Sequence, residues 1–273
     1  MKHELTHARH DPAHCLAPGL FRSLKKGDRK VSKLDVLYHY GSVQLQFKGP
    51  EPLGVDDLRV LQGLVALAGP SGILLTPSPN TENGRKVRLL LELKGEAEKE
   101  CAIVAKGSYG SLAREIGYED NGDSRLIRQC IERLWTVSII VISESRRHGF
   151  RLLAQYVSDD RSGELYVALN PRIACAVLGT GRYTRINMEE VRGLRGDPAR
   201  LIHQRLCGFM RNGERKKITI DKLCEYAWPD ACSEATQRKR HQRAREAIDE
   251  LRQVGWKCEE LMRGRFEITR PSR

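Results

Sequence analysis

Residues 216–269 read KKITIDKLCEYAWPDACSEATQRKRHQRAREAIDELRQVGWKCEELMRGRFEIT, and the order of elements in this stretch decides the fold. KKITI predicts a short strand and DKLCEYAW a short helix that Pro229 stops. After the loop DACS, the run from Glu234 to Val254 predicts a long helix. WKCEEL and RFEIT then form a hairpin around the turn MRGR. Strand, short helix, long helix and hairpin follow one another as in a winged helix-turn-helix.

On a wheel of about 100° per residue, Ala244, Ala247, Ile248, Leu251 and Val254 of the long helix share one face, which must meet the core. Arg238, Gln242 and Arg245 point away from it, with Lys239 flanking them. Residues 236–245 hold five Lys or Arg, one His and no acid; Glu246, Asp249 and Glu250 come afterwards. Recognition helices offer their N-terminal half to the major groove, and this charge gradient suits that role. Arg and Gln can reach base edges, whereas Lys mainly neutralises phosphate. Arg263 and Arg265 in the hairpin are further candidates for phosphate contact.

The same order is predicted earlier. SYGSLAREIG is a short helix ending at Gly117, and YEDNGD is a polar loop. SRLIRQCIERLW is a second helix, capped by Asp123 or Ser124. SIIVIS and GFRLLAQYVS follow, joined by the basic turn ESRRHG. CIERLWTVSI at 130–139 aligns without gaps on AIDELRQVGW at 247–256, and Leu112 matches Leu223. Two copies of one unit are therefore expected. The first copy exposes Arg125, Arg128 and Gln129, with Glu132 on the same face, and its hairpin turn carries Arg146 and Arg147. It is the weaker DNA-binding candidate of the two.

The expected architecture is α+β, with two tandem winged-helix domains related by internal duplication. Residues 1–33 read as a basic N-terminal arm, 34–180 as the first domain and 181–273 as the second, with the boundary near GTGRYT. Further expectations are a hairpin over 34–48, a helix on which Leu58, Leu61, Val65 and Leu67 or Ala68 recur and which Gly69-Pro70 stops, and strands at 73–75, 86–93 and 101–105. PRIACAVLG is a short helix, Asn187 a helix cap and Asp197-Pro198 the start of a long helix.

The 273 residues carry 47 Lys or Arg against 35 Asp or Glu, a net charge of +12. In an ordinary globular composition that surplus points first to nucleic acid. No apolar stretch approaches a membrane span or the core of a signal peptide, so a cytoplasmic protein is expected. None of the eight cysteines forms a CxxC pair, and they read as reduced core thiols. His203 and Cys207 lie four apart and could join Cys224 and Cys232 around zinc, but the knuckle spacing is missing, so no metal or cofactor is expected. P-loop, HExxH and GxSxG motifs are absent, as is the His-x-His pair of rolling-circle nicking enzymes, which argues against an enzyme.

RHDPAHCLAPGLFR, GPEPLG, DDLRVLQGLVALAGP, CIERLWTVSII, GFRLLAQYVSD, LYVALNP, LIHQRLCGF and the closing ITRP resemble segments of RepC, the replication initiator family of IncQ-type broad-host-range plasmids. The resemblance spans nearly the whole chain. It implies a non-enzymatic initiator that binds directly repeated iterons in double-stranded origin DNA and helps open adjacent AT-rich DNA. It also implies plasmid-encoded helicase and primase as partners, and kinship with initiators built of two winged-helix domains. A homodimer is compatible with the sequence. The competing expectation is a winged-helix transcriptional regulator without an initiation role.

Overall fold

The computed structural model describes residues 6–69, 72–92, 102–118, 124–159 and 161–272. Cys101, Asp123, residues 1–5 and most of the loop YEDNGD lie outside them, so the cap expected from Asp123 is not addressed.

The chain opens with β1 (His7–His10), α1 (Pro12–Leu16) and α2 (Asp28–Val31). The hairpin β2 (Leu34–Tyr40) and β3 (Val43–Gly49) turns at Gly41, whose φ of 61° suits a residue without Cβ. Helix α3 (Val55–Ala68) follows, buried along almost its whole length, and Gly69 ends it as expected. Next come β4 (Ile73–Leu75), α4 (Glu82–Leu91), β5 (Ala102–Gly107), α5 (Tyr109–Glu115) and α6 (Ser124–Thr136). Four strands follow: β6 (Ser138–Ile142), β7 (Arg147–Arg151), β8 (Leu153–Ser158) and β9 (Leu165–Leu169). Helix α7 (Pro171–Leu178), β10 (Thr184–Asn187), α8 (Met188–Gly193) and α9 (Asp197–Phe209) lead into the last stretch. It holds β11 (Arg215–Thr219), α10 (Ile220–Ala227), α11 (Glu234–Gln253), β12 (Lys257–Met262) and β13 (Arg265–Thr269).

Two sheets share one strand order. The C-terminal sheet runs β11-β13-β12, with α10 and α11 between its first and second strands in sequence. The four-stranded sheet β4-β5-β9-β8 contains the same first-third-second order, with α5 and α6 between β5 and β8. Leu112 of α5 and Leu223 of α10 are both fully buried, as are Ile131, Leu134 and Leu251 to within a percent; Ile248 is 1% exposed.

The hairpin of 138–151 forms, but in another sheet. β6 pairs with β3, giving the order β2-β3-β6-β7. The strand beside β5 is β9, whose hairpin mate is β8. The apolar run GFRLLAQYVS therefore divides at buried Leu152 and serves two sheets. The hairpin that completes the β5 sheet, as β12–β13 completes the β11 sheet, is β8–β9, and the turn with Arg146 and Arg147 belongs to the β6–β7 hairpin. Alternation of apolar residues predicts a strand but not its partner, because the backbone ladder is nearly indifferent to sequence.

Two further expectations are corrected. Residues 86–91 are helical, not extended: Thr81 caps α4 through Gly84 N–H at 3.1 Å, and Lys86 pairs with Glu82 at 2.7 Å one turn back. Val87 and Leu91 bury one face, and Val87 is the one β-branched residue in a run otherwise of Leu, Lys and Arg, which favour helix. Residues 6–21 are not a loose arm either. β1 pairs with β10, and Ala8, Ala13, Leu20 and Phe21 are buried. Asp11 caps α1 through Ala13 N–H at 2.8 Å and accepts Arg172 Nε at 2.7 Å.

One hydrophobic core runs through residues on both sides of position 180. Within it, Gln62 on α3 donates to Gln204 on α9 at 2.6 Å, both side chains buried. Asp57, at 0% exposure, accepts Arg29 at 3.0 Å, Arg133 at 2.8 Å and Gly54 N–H at 2.7 Å, tying α2, α3 and α6 together. A paired, fully hydrogen-bonded carboxylate is the form in which a buried charge is tolerated.

Candidate nucleic-acid interface

Helix α11 starts at Ser233, whose hydroxyl accepts Thr236 N–H. Ala244, Ala247, Ile248 and Leu251 are its buried residues, the face read from the wheel. The basic run divides by direction. Gln237 and His241 both meet Asp221 of α10, at 3.1 and 2.7 Å, and the hydrogen bond from His241 holds the Asp221 carboxyl below the usual carboxylate range. Arg240 donates to the Asp230 carbonyl at 2.6 Å and lies 5.9 Å from the Trp228 ring centroid. These inward residues fix the α10–α11 turn.

Arg238, Lys239, Gln242 and Arg243 are exposed. Among the described residues Arg238 meets only Glu234, at 3.9 Å, an ion pair too exposed to restrain it. Gln242 donates to Glu246 at 3.0 Å, a bond a base edge could replace. Among the described residues Lys239 and Arg243 have no hydrogen-bond or ion-pair partner. Arg243 was not among the wheel's candidates, because it lies to the side of the outermost line; its exposure assigns it to the basic face.

Arg245, the third outward candidate, has a partner within the fold. It grips Glu260 of β12 bidentately, at 2.7 and 3.0 Å, and sits 5.4 Å from the Phe266 ring centroid. The other donor to Glu260 is Gly264 N–H in the hairpin turn, at 2.7 Å. The bond from Arg245 lowers the Glu260 carboxyl below its ordinary range. Arg245 thus braces the hairpin against α11. Arg263 and Arg265 at the turn are exposed.

In the earlier unit, Arg125, Gln129 and Glu132 are exposed on α6, and Arg128 is half-buried, 5.3 Å from the Tyr109 ring centroid. Arg146 and Arg147 are exposed on the β6–β7 hairpin, which belongs to a different sheet from β8–β9. The β8–β9 turn spans Asp159 to Glu164, closed by Asp159 N–H on the Glu164 carbonyl at 2.9 Å. Its charges include Asp159, Arg161 and Glu164, so this tip is a poorer surface for phosphate than the turn with Arg263 and Arg265.

The N-terminal segment adds basic residues that composition alone could not locate. Ser23 N–H donates to the Ala227 carbonyl at 2.9 Å, and Arg22 pairs with Asp230 at 2.9 Å. Exposed Lys25 and Lys26 follow in sequence. No described helix is long and apolar enough to cross a membrane.

Solved structures with the same fold include domains 2 and 3 of RctB, at 12% identity and TM-score 0.56, covering 96% of this chain and 99% of that one. A second RctB structure of domains 2–3 aligns at 13% identity and TM-score 0.53, covering 94% and 95%. A Pi initiator protein crystallised with iteron DNA aligns over 100% of both chains, at 13% identity and TM-score 0.53. The comparison with curated proteins finds no match. The family model for replication protein C matches residues 2–272, and with that match over nearly its full length the chain belongs to the replication protein C (RepC) family.

Proposed function

We propose that this protein is a sequence-specific, non-enzymatic initiator of plasmid replication that binds directly repeated iterons in double-stranded origin DNA. The observation that carries the reading is the outward basic face of α11, Arg238, Lys239, Gln242 and Arg243, on a helix fixed to its neighbours through Asp221 and Glu260. Such a face is pre-organised, so little ordering opposes DNA binding.

In this reading residues 34–180 and 181–273 are two winged-helix units that arose by duplication. The shared first-third-second strand order and the aligned buried Leu112 and Leu223 support it. Arg125, Gln129 and Arg128 of α6 form the lesser contact face, Arg263 and Arg265 meet phosphate, and Arg146 and Arg147 lie outside the main docking surface. Opening of AT-rich DNA and engagement of plasmid helicase and primase follow from the RepC family resemblance.

Hydroxyl-radical footprinting on DNA with tandem direct repeats tests the reading. Protection should spread over about two helical turns on one face of each repeat. Protection of one short segment would mean that one unit reads DNA, and equal binding to unrelated duplexes would overturn the initiator assignment.

A further inference from the structure

The His203–Cys207 spacing that reads as core packing in the sequence gains a third donor in the folded chain. His203 Nε2 lies 2.7 Å from Glu190 Oε2 and 3.6 Å from Cys207 Sγ. The three candidate ligand atoms all fall within 4.8 Å of one another. His203 and Cys207 sit one turn apart on α9 and are buried; Glu190 comes from α8 and keeps 11% side-chain exposure. That exposure opens on a cleft of about 360 Å³, which Gly193, Val254 and Pro271 also line.

The geometry suits a particular class of ion. With zinc–nitrogen and zinc–sulfur bonds of about 2.0 and 2.3 Å, tetrahedral ligands N and S stand about 3.5 Å apart. The 3.6 Å between His203 and Cys207 meets that without movement. The imidazole–carboxylate separation must widen from 2.7 Å to about 3.3 Å, within reach of a carboxylate rotation. A mixed N, S, O donor set favours zinc-class divalent cations over magnesium or calcium. Trp256 Nε1 donates to Glu190 Oε2 at 2.9 Å and would orient the carboxylate as outer-sphere partners do.

We propose that Glu190, His203 and Cys207 bind one zinc-class divalent cation, which fastens α8 to α9 beside Trp256, just past the end of α11. The proposal stands independently of the DNA-binding reading. The bland alternative is a histidine–carboxylate ion pair with a packed thiol, which takes up no metal.

Cobalt(II), titrated into metal-depleted full-length protein, is the probe. One equivalent should bind with tetrahedral visible bands and a thiolate-to-cobalt charge-transfer band in the near ultraviolet, and zinc should displace it. Cys207→Ser should abolish the charge-transfer band. Glu190→Gln should keep that band but weaken cobalt binding by about tenfold or more. Circular dichroism establishes that each variant is folded. Absence of the band in the unmodified protein overturns the proposal. So does a band unchanged in Cys207→Ser, which would move the metal to another thiol such as exposed Cys175 or Cys232. If Cys207→Ser fails to fold, Glu190→Gln decides alone, and unchanged cobalt affinity there overturns the site.

Discussion

Arg245 and Glu260 are joined by two hydrogen bonds, at 2.7 and 3.0 Å, that run from the basic helix to the hairpin beside it. Both side chains are partly exposed, so solvent screens the pair and it adds little to stability. Its larger effect is on position, since Glu260 also holds Gly264 in the turn. Arg245→Ala and Glu260→Gln should each weaken iteron binding by about 1 kcal/mol, without altering base preference at any single position. A systematic binding-site selection checks this; a preference lost at one base pair in Arg245→Ala would restore Arg245 as a base reader.

The outward face should separate by residue type. Arg238→Ala should cost about 1 to 3 kcal/mol on the iteron and relax specificity at particular positions. Lys239→Ala and Arg243→Ala should weaken binding to all sequences alike, each lowering the salt slope by about one unit. Fluorescence anisotropy at several salt concentrations distinguishes the two patterns. Equal loss on specific and random DNA for Arg238→Ala would reduce it to a phosphate contact.

The two units should contribute unequally. Glu132 shares the exposed surface of α6 with Arg125 and Gln129, and Asp159 and Glu164 flank Arg161 at the β8–β9 tip. Arg125→Ala should therefore cost less than Arg238→Ala, and a paired Arg146→Ala/Arg147→Ala change less than Arg263→Ala/Arg265→Ala. If the first-unit changes prove more damaging while circular dichroism stays intact, the order of importance is reversed.

Asp57 should matter for stability and not for DNA contact. Asp57→Ala leaves Arg29 and Arg133 without their shared partner in a mostly buried site. Removing one member of a buried charge network costs about 3 to 5 kcal/mol. Urea unfolding should show that loss at unchanged m-value. A loss under about 1 kcal/mol would show that water relieves the two guanidinium groups.

Acid should weaken the fold through His10 and His14. Burial, then the neighbouring His14, lowers His10 to about 3; burial, with Arg172 helping and Asp11 opposing, lowers His14 to about 4. Among the described residues none of their ring nitrogens has a hydrogen-bond partner. Both are neutral in the fold, whereas the unfolded chain protonates them below about 6.5. Stability is therefore full above pH 6.5 and falls as pH drops toward 4. The two groups together cost up to about 4 kcal/mol at pH 5. The thermal midpoint should fall between pH 6.5 and 5, less so in His10→Phe/His14→Phe; an identical fall in that variant would assign the effect elsewhere.

Elements governed by local physics could be read from the order of residues. Helix α11 was legible because its apolar residues repeat at helical spacing and its basic half is free of acids; α3 and α9 were readable from their spacing and end signals, and the hairpins β2–β3 and β12–β13 from alternation around a turn. Helix α4 was misread because three consecutive leucines satisfy either period, and only packing of Val87 and Leu91 selects one. Tertiary structure alone decided which sheet receives β6 and β7, since Leu45 and Val141 meet across nearly a hundred residues through a backbone ladder that carries little sequence signal. It also paired Arg245, a candidate reader, with Glu260, drew residues 6–21 into the core, and brought Glu190 to His203 and Cys207. A side chain's periodicity states which way it faces; what it meets there depends on elements distant in sequence.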